Sequence, residues 1–207
     1  AINEAQNSYP GTIVDVTKAW YEMIHRYLAG ILGLLILTIA IFSYKIRDQL
    51  RVRLILPFSI LVLVIFQAAL GMWTVTELLK PAIVTLHLMG GMTILGLLTY
   101  MTHRHIGTVS NTIILNPGIK PLIRFGFLLL FIQIMLGGWT STNYAALACT
   151  DFPTCHGELI PDMDFSNGFN IFRELGETAS GEGLSIEALQ AIQWVHRVGA
   201  IILTIYF

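Results

Sequence analysis

The sequence predicts an all-α integral membrane protein, folded as a bundle of transmembrane helices. Of its 207 residues, 55% are hydrophobic and only 12% are charged, whereas about a quarter of the residues in soluble domains are charged. In addition, five apolar segments approach or exceed the roughly 20 residues that a helix needs to cross a bilayer. These segments are residues 20–44, 54–77, 82–102, 122–143 and 189–207.

The charges between the apolar segments predict how the helices are oriented. The link at residues 45–53 has four basic residues and one acid, and the link from Arg104 to Arg124 has three basic residues and no acid. Short basic links lie in the cytoplasm under the positive-inside rule. The 144–188 segment has eight acidic residues and one arginine, so we expect it outside, with the N-terminal stretch and the 78–81 turn. The net charge of −1 and the lack of a basic run give no indication of nucleic-acid binding.

Both cysteines of the chain, Cys149 and Cys155, lie in this outer segment. An oxidising compartment favours a disulfide between two cysteines at this spacing, although the geometry of so short a loop can forbid the bond. Free thiols are one alternative. A zinc site is the other, but only His156 adds a further soft ligand nearby, so we favour the disulfide.

Three of the six histidines lie inside predicted helices, at nearly one depth. His25 and His87 come about five residues into their helices from the outer side, and His196 comes about seven, which places all three within about one helical turn. Three imidazoles at one depth on separate helices favour haem, which axial histidines can hold between helices. A proton relay is the competing interpretation. The remaining histidines, at the cytoplasmic interface or in the outer segment, are His103, His105 and His156.

Charged residues accompany two of the intramembrane histidines. Arg26 and Arg197 each follow a histidine, where a guanidinium can either pair with a haem propionate or extend to the lipid headgroups. Glu22 precedes His25 by three residues and therefore shares its helix face. A carboxylate there can accept a proton, orient a ligand or stabilise a cation, and it can equally be a solvated interfacial residue. The residues alone leave both questions open.

The second and fourth apolar segments repeat one pattern. QAALGMWTVT at 67–76 matches QIMLGGWTST at 133–142, and the motif HR recurs in MIHRYLAG at 23–30 and WVHRVGA at 194–200. The two spacings differ, so the chain does not hold two complete copies end to end. A four-helix unit present twice explains both spacings if the first copy lacks its first helix and the second lacks its last two.

The ends of the chain agree with this interpretation. The sequence begins without a methionine and stops inside an apolar run, so we expect it to be part of a longer protein. We predict five helices of an eight-helix, two-half pseudo-repeat. In that arrangement His25 pairs with His87, and His196 pairs with a histidine beyond Phe207. The halves are residues 1–103 and 122–207, joined by a cytoplasmic linker at 104–121.

Three stretches resemble the heme A synthase family: EMIHRYLAGILGLL, LGGWTSTNYAALACTDFPTC and the later WVHR. The resemblance covers essentially the whole chain, and the loop NYAALACTDFPTC is its most diagnostic part. It departs from the family at Thr150, where proline is expected. The family's first helix, first outer loop and last two helices lie outside this sequence.

The resemblance implies oxidation of the C8 methyl group of haem O to a formyl group, giving haem A for cytochrome oxidase. It makes His25 and His87 the ligands on the substrate side and Glu22 the essential glutamate. It makes His196 a ligand of a haem b cofactor, with Cys149 and Cys155 as the outer cysteine pair of that half. Arg26 and Arg197 would then bind the haems.

Two other classes fit parts of the pattern. A cytochrome b type electron carrier needs the same histidine pairs but neither Glu22 nor the cysteine loop, and a proton-relaying transporter or assembly scaffold needs no haem. The short, compact loops favour a multi-pass protein of the bacterial cell membrane over one of the mitochondrial inner membrane, and the charges then place residues 144–188 in the periplasm. Expected partners are the lipid bilayer, haem O, a haem O synthase and further copies of the chain.

Overall fold

The structure, a computed structural model, describes residues 15–50, 54–106 and 118–207. Five of its helices are long and apolar enough to cross a membrane, which confirms the predicted all-α membrane class. The N-terminal stretch and most of the predicted 104–121 linker lie outside the described residues. The helices are α1 (Val16–Leu50), α2 (Ile55–Thr76), α3 (Pro81–Ile106), α4 (Ile119–Thr142), the one-turn α5 (Phe165–Gly168) and α6 (Ile186–Tyr206), with a 3₁₀ turn at Ala145–Leu147.

Helix α1 extends well beyond the apolar segment that predicted it. It begins after Asp15, whose side chain accepts hydrogen bonds from the backbone N–H groups of Thr17 and Lys18, at 3.0 and 3.2 Å. An aspartate in this position is a common helix N-cap. At the other end the helix continues to Leu50 through the basic residues that the sequence assigns to a link. No glycine or proline interrupts these residues, and lysine, arginine and glutamine are good helix formers.

The chain divides into two compact units, residues 1–65 and 66–207. In the first unit, Ile36, Ala40 and Ile60 are buried. A Cβ added at Gly33 would lie 3.8 Å from Val64 Cγ1, so helices α1 and α2 approach closely there. Small residues at such crossings allow membrane helices to pack backbone against backbone.

In the second unit, helix α4 packs against both α3 and α6. The buried core lies at one end of these helices, where Trp139, Ala145 and Ile192 pack together. The turn between α2 and α3 lies at the same end, because Lys80 Nζ forms an ion pair with Glu174 Oε1 of the 144–188 segment at 2.7 Å. The orientation predicted from the charges requires this shared end.

A buried arginine fastens the 144–188 segment to helix α4. The Arg173 guanidinium donates from Nη2 to Asn143 Oδ1 at 2.5 Å and from Nε to the Asn167 carbonyl at 3.0 Å, and the residue is only 2% exposed. Trp139 Nε1 donates to the Gly168 carbonyl at 3.0 Å. Because these groups are shielded from water, each depends on its partner in the protein.

The two cysteines form the predicted disulfide, Cys149–Cys155. Inside the loop that it closes, the Asp151 carboxylate accepts hydrogen bonds from the backbone N–H of His156 at 2.6 Å, the N–H of Gly157 at 2.9 Å and the Thr154 hydroxyl. These bonds, that of Thr154 foremost, hold the pKa of Asp151 well below its ordinary value of 3.8. His156 is exposed, as the sequence predicts, and its Nε2 donates to the Ala148 carbonyl at 2.9 Å.

Arg173→Lys should destabilise the protein because an ammonium group cannot reach the separated acceptors together. We expect a loss of roughly 2 kcal/mol, the scale of a buried hydrogen bond to a charged group. Thermal unfolding of the gene's complete product in detergent measures this as a fall in Tm. Arg124→Lys, at an exposed arginine of α4, is the matched control and should leave Tm nearly unchanged. Equal Tm values for the two variants would contradict the anchoring role.

The hydrogen bonds of Asp151 predict an acid dependence of stability. Its folded-state pKa lies below the ordinary 3.8, so the stabilisation is present above pH 3.8 and is lost as the pH falls through the folded-state pKa. The Tm advantage of the wild type over Asp151→Asn should therefore be constant from neutral pH to about pH 5 and shrink below pH 4. Asp162→Asn, at an exposed residue of the same segment, controls for the loss of one charge. A Tm difference between the wild type and Asp151→Asn that grows as the pH falls would refute the predicted direction.

Candidate functional site

His196 lies near the middle of α6 and faces helix α4. A Cβ added at Gly137 would lie 3.3 Å from His196 Cε1, so the imidazole edge rests against the α4 backbone. The Nδ1 atom of the same ring is 3.0 Å from Gln133 Nε2, which also donates to the His196 carbonyl at 3.0 Å. A side chain at position 137 would push the ring back by a few tenths of an ångström, so glycine favours this close approach. Gln133 contacts one of the two ring nitrogens.

His87 lies on α3 in a matching setting against helix α2. A Cβ added at Gly71 would lie 3.3 Å from His87 Cε1, the same distance as in the other pair. The space beside Gly90, one turn along α3, is filled by the Gln67 amide: a Cβ at Gly90 would lie only 1.8 Å from Gln67 Nε2. The internal repeat seen in the sequence thus corresponds to a repeated arrangement of glycine, glutamine and histidine.

Both of these histidines lie at one level of the second unit. Gly137 contacts His196, and the next residue, Gly138, contacts α3 on either side of His87: a Cβ there would lie 2.8 Å from Leu88 Cδ2 and 3.5 Å from Thr85 Cγ2. Two adjacent residues of α4 therefore reach both histidine-bearing helices. This agrees with the depth that the sequence assigns to these imidazoles.

Glu22, His25 and Arg26 lie together on helix α1 in the first unit. Arg26 Nη2 and Glu22 Oε1 form an ion pair one helical turn apart, and both side chains are about half exposed in the isolated chain. His25 lies between them in the sequence and is also exposed. The structure thus confirms that Glu22 and its neighbours share one helix, while the pairing of His25 with His87 stays a prediction.

Arg197 contacts the disulfide-closed loop. Its Nη1 donates to the carbonyls of Asp151 and Thr154 at 2.6 and 2.9 Å, and its Nη2 donates to the Cys149 carbonyl at 2.7 Å. The sequence suggested a haem propionate or lipid headgroups as partners, and neither interpretation included the loop. The short loop turns its backbone carbonyls towards α6, which no pattern of side chains reveals.

Gln67 and Gln133 are the site residues that the sequence analysis missed. Each glutamine opens one copy of the repeat, and each lies beside a glycine that follows the histidine by three residues. Their shared position in the repeat was the signal in the sequence that could have identified these two glutamines. Of the remaining histidines, His103 is exposed at the far end of α3, and the side chain of His105 lies outside the described part of the chain.

The imidazoles of His87 and His196 fit the requirements of haem ligands. Each is held at a helix crossing that glycine keeps narrow. The Nδ1 atom of His196 is hydrogen-bonded to Gln133, so Nε2 is the nitrogen that would bind a metal. Histidine nitrogen is a common axial ligand of haem iron.

Comparison with known proteins identifies the family. The family model COX15-CtaA, described as cytochrome oxidase assembly protein, matches residues 1–207. A heme A synthase of Shewanella oneidensis is 41% identical over 97% of the chain, and that of Halalkalibacterium halodurans is 26% identical over 85%. The chain spans 60% and 59% of the lengths of these two relatives. The chain belongs to the COX15-CtaA family of cytochrome oxidase assembly proteins.

Proposed function

We propose that the protein carrying this chain is a heme A synthase, which oxidises the C8 methyl group of haem O to a formyl group. The observation that carries the proposal is the pair of imidazoles, His87 and His196, held at one level in matching settings. The similarity to the Shewanella oneidensis heme A synthase supports it. The resulting haem A would serve cytochrome oxidase.

The residues divide between a substrate side and a cofactor side. His25 and His87 would hold haem O, and His196 would hold haem b together with a histidine outside this chain. Haem b supplies redox chemistry when it is bound. The division corresponds to the proposed halves 1–103 and 122–207, and the repeated setting of His87 and His196 supports it.

Glu22 is the proposed catalytic residue on the substrate side. Its carboxylate shares a helix face with His25, and the ion pair with Arg26 holds it there. A propionate of haem O would compete for Arg26 and release the carboxylate. Glu22 would then accept a proton from the reacting carbon, or stabilise the positive charge that develops there. An external oxidant would take up two electrons in each step, from methyl group to alcohol and from alcohol to aldehyde, and water would supply the oxygen atom.

Arg197 has a different role in this proposal. Both of its Nη atoms donate to carbonyls of the disulfide-closed loop, so Arg197 attaches this loop to α6 at the position that follows His196. Haem binding through its remaining N–H groups would add to this role. The loop would thereby limit the rotation of α6 about its axis, and with it the direction of the His196 ring.

The proposed location is the bacterial cell membrane, with residues 144–188 in the periplasm. The basic link at 45–53 and the acidic outer segment support this orientation. The ion pair between Lys80 and Glu174 supports it as well, because it joins two segments that must lie on one side. A haem O synthase that delivers the substrate, and self-association of the protein, belong to the same proposal.

Glu22→Gln and Glu22→Ala should abolish formyl production without releasing haem. We expect a fall of at least about a hundredfold, the scale of a general acid–base contribution. The readout is chromatography of haems extracted from the gene's complete product, made in cells that also make haem O. Glu77→Gln, an exposed acidic residue at the α2–α3 turn, is the matched control. Haem A at the normal rate in Glu22→Ala would exclude the proposed role.

His196→Leu should remove haem b from the protein because its iron would lose an axial ligand. The optical spectrum of the purified protein, made in cells without haem O, should lose the low-spin haem b bands. His103→Leu, at the exposed end of α3, should keep them. An unchanged spectrum in His196→Leu would show that this histidine does not bind haem.

A further inference from the structure

Two glutamines occupy equivalent places beside the two intramembrane histidines of the second unit. Gln67 precedes Gly71 by four residues, as Gln133 precedes Gly137, and each of these glycines contacts a histidine on the neighbouring helix. That histidine is followed three residues later by a further glycine, Gly90 or Gly199, and the glutamine amide fills the space beside it. Four positions on two helices are thus repeated in both sequence and space.

The glycine that follows each histidine makes room for the amide. A Cβ at Gly90 would lie 1.8 Å from Gln67 Nε2, and a Cβ at Gly199 would lie 2.3 Å from Gln133 Oε1. Both distances are too short for atoms that are not covalently bonded, so alanine at either position would displace the glutamine amide. The close approach of each amide to the histidine-bearing helix therefore depends on the absence of a side chain there.

The amides are costly to bury in this place. Gln67 is 7% exposed, and both of its amide atoms are buried without a hydrogen-bond partner in the described structure. Gln133 Oε1 is also buried and lacks a partner there. An unsatisfied buried polar group costs about 1–3 kcal/mol, whereas methionine or leucine would fill a similar volume without that cost. The polar amide therefore has a purpose other than packing.

We propose that Gln133 is a positioning residue that sets the ring orientation and tautomer of His196. This inference rests on the proposed function, in which both imidazoles bind haem iron. The hydrogen bond between Gln133 Nε2 and His196 Nδ1, at 3.0 Å, is the contact that carries it.

An amide suits both states of the ring. In the present arrangement Nε2 of Gln133 donates to Nδ1, which leaves the hydrogen of a neutral imidazole on Nε2. Binding iron through Nε2 requires the hydrogen on Nδ1, which must then donate to an acceptor. Rotation of the amide about its last bond gives up the hydrogen bond that Nε2 donates to the His196 carbonyl and presents Oε1, which has no partner in the described structure, to that hydrogen. Glutamate could only accept, and methionine could do neither.

A role limited to helix packing makes a different prediction. If Gln133 only fills the space beside Gly199, its replacement changes thermal stability and leaves the electronic properties of bound haem unaltered. If it accepts a hydrogen bond from Nδ1, its replacement changes the electron density that the imidazole donates to iron. The midpoint potential of the haem and the g-values of its electron paramagnetic resonance spectrum report this difference.

The test uses the gene's complete product loaded with haem b, made in cells without haem O. Gln133→Glu should lower the midpoint potential, because a carboxylate accepts more strongly and adds negative charge. Gln133→Met should raise the potential, because the acceptor is lost. Gln190→Met, a buried glutamine on α6, is the matched control and should keep the wild-type potential. If Gln133→Met fails to hold haem, Gln133→Glu still provides the measurement.

The outcomes separate this inference from the proposed function. Loss of the haem b signal in His196→Leu, together with wild-type potential and g-values in the haem-loaded Gln133 variants, would overturn the positioning role alone. Retention of the signal in His196→Leu would refute the ligand assignment on which the inference rests. Opposite shifts in Gln133→Glu and Gln133→Met, with no shift in Gln190→Met, would establish the role.

Discussion

The close approach of helices at Gly71 and Gly137 is the constraint on which the rest of the second unit depends. A hydrocarbon environment offers no water to a polar side chain, so an imidazole there must find its partners within the protein. Glycine lets the ring of His87 or His196 rest against the neighbouring backbone, within 3.3 Å of the position of a Cβ. The same crossing brings Gln133 to His196. A side chain at either glycine would move the ring and disturb the polar contacts of the site.

The 144–188 segment complements this arrangement from the end of the bundle. Arg173 joins the segment to the end of α4 through Asn143, and Arg197 joins the disulfide-closed loop to α6 at the residue after His196. Within the described residues, both arginines donate to neutral oxygens rather than to carboxylates. Such bonds are directional, so they fix a loop more narrowly than an exposed ion pair would. In the proposed function, the loop would support the direction of the His196 ring rather than take part in the chemistry itself.

Hydropathy and charge were sufficient to predict the five spans and the shared end of the 78–81 turn and the 144–188 segment, because both follow from the cost of polar groups in lipid. The disulfide also followed from spacing and compartment. The length of α1 was not predicted, because basic residues are compatible with the end of a helix as well as with a link between helices. The contacts of Arg197 and Gln133 were missed for a related reason: they depend on backbone carbonyls and on the absence of a Cβ, which side-chain patterns do not display. The pairing of His25 with His87 stays a prediction.

The central claim is that the protein makes haem A, and the haem content of the gene's complete product tests it most directly. The protein would be purified from cells that also make haem O, and its haems extracted and separated by chromatography. The account predicts haem b together with haem A or its alcohol intermediate. Haem b alone would contradict it and indicate an electron carrier of the cytochrome b type. A preparation without haem would contradict the ligand role of the intramembrane histidines.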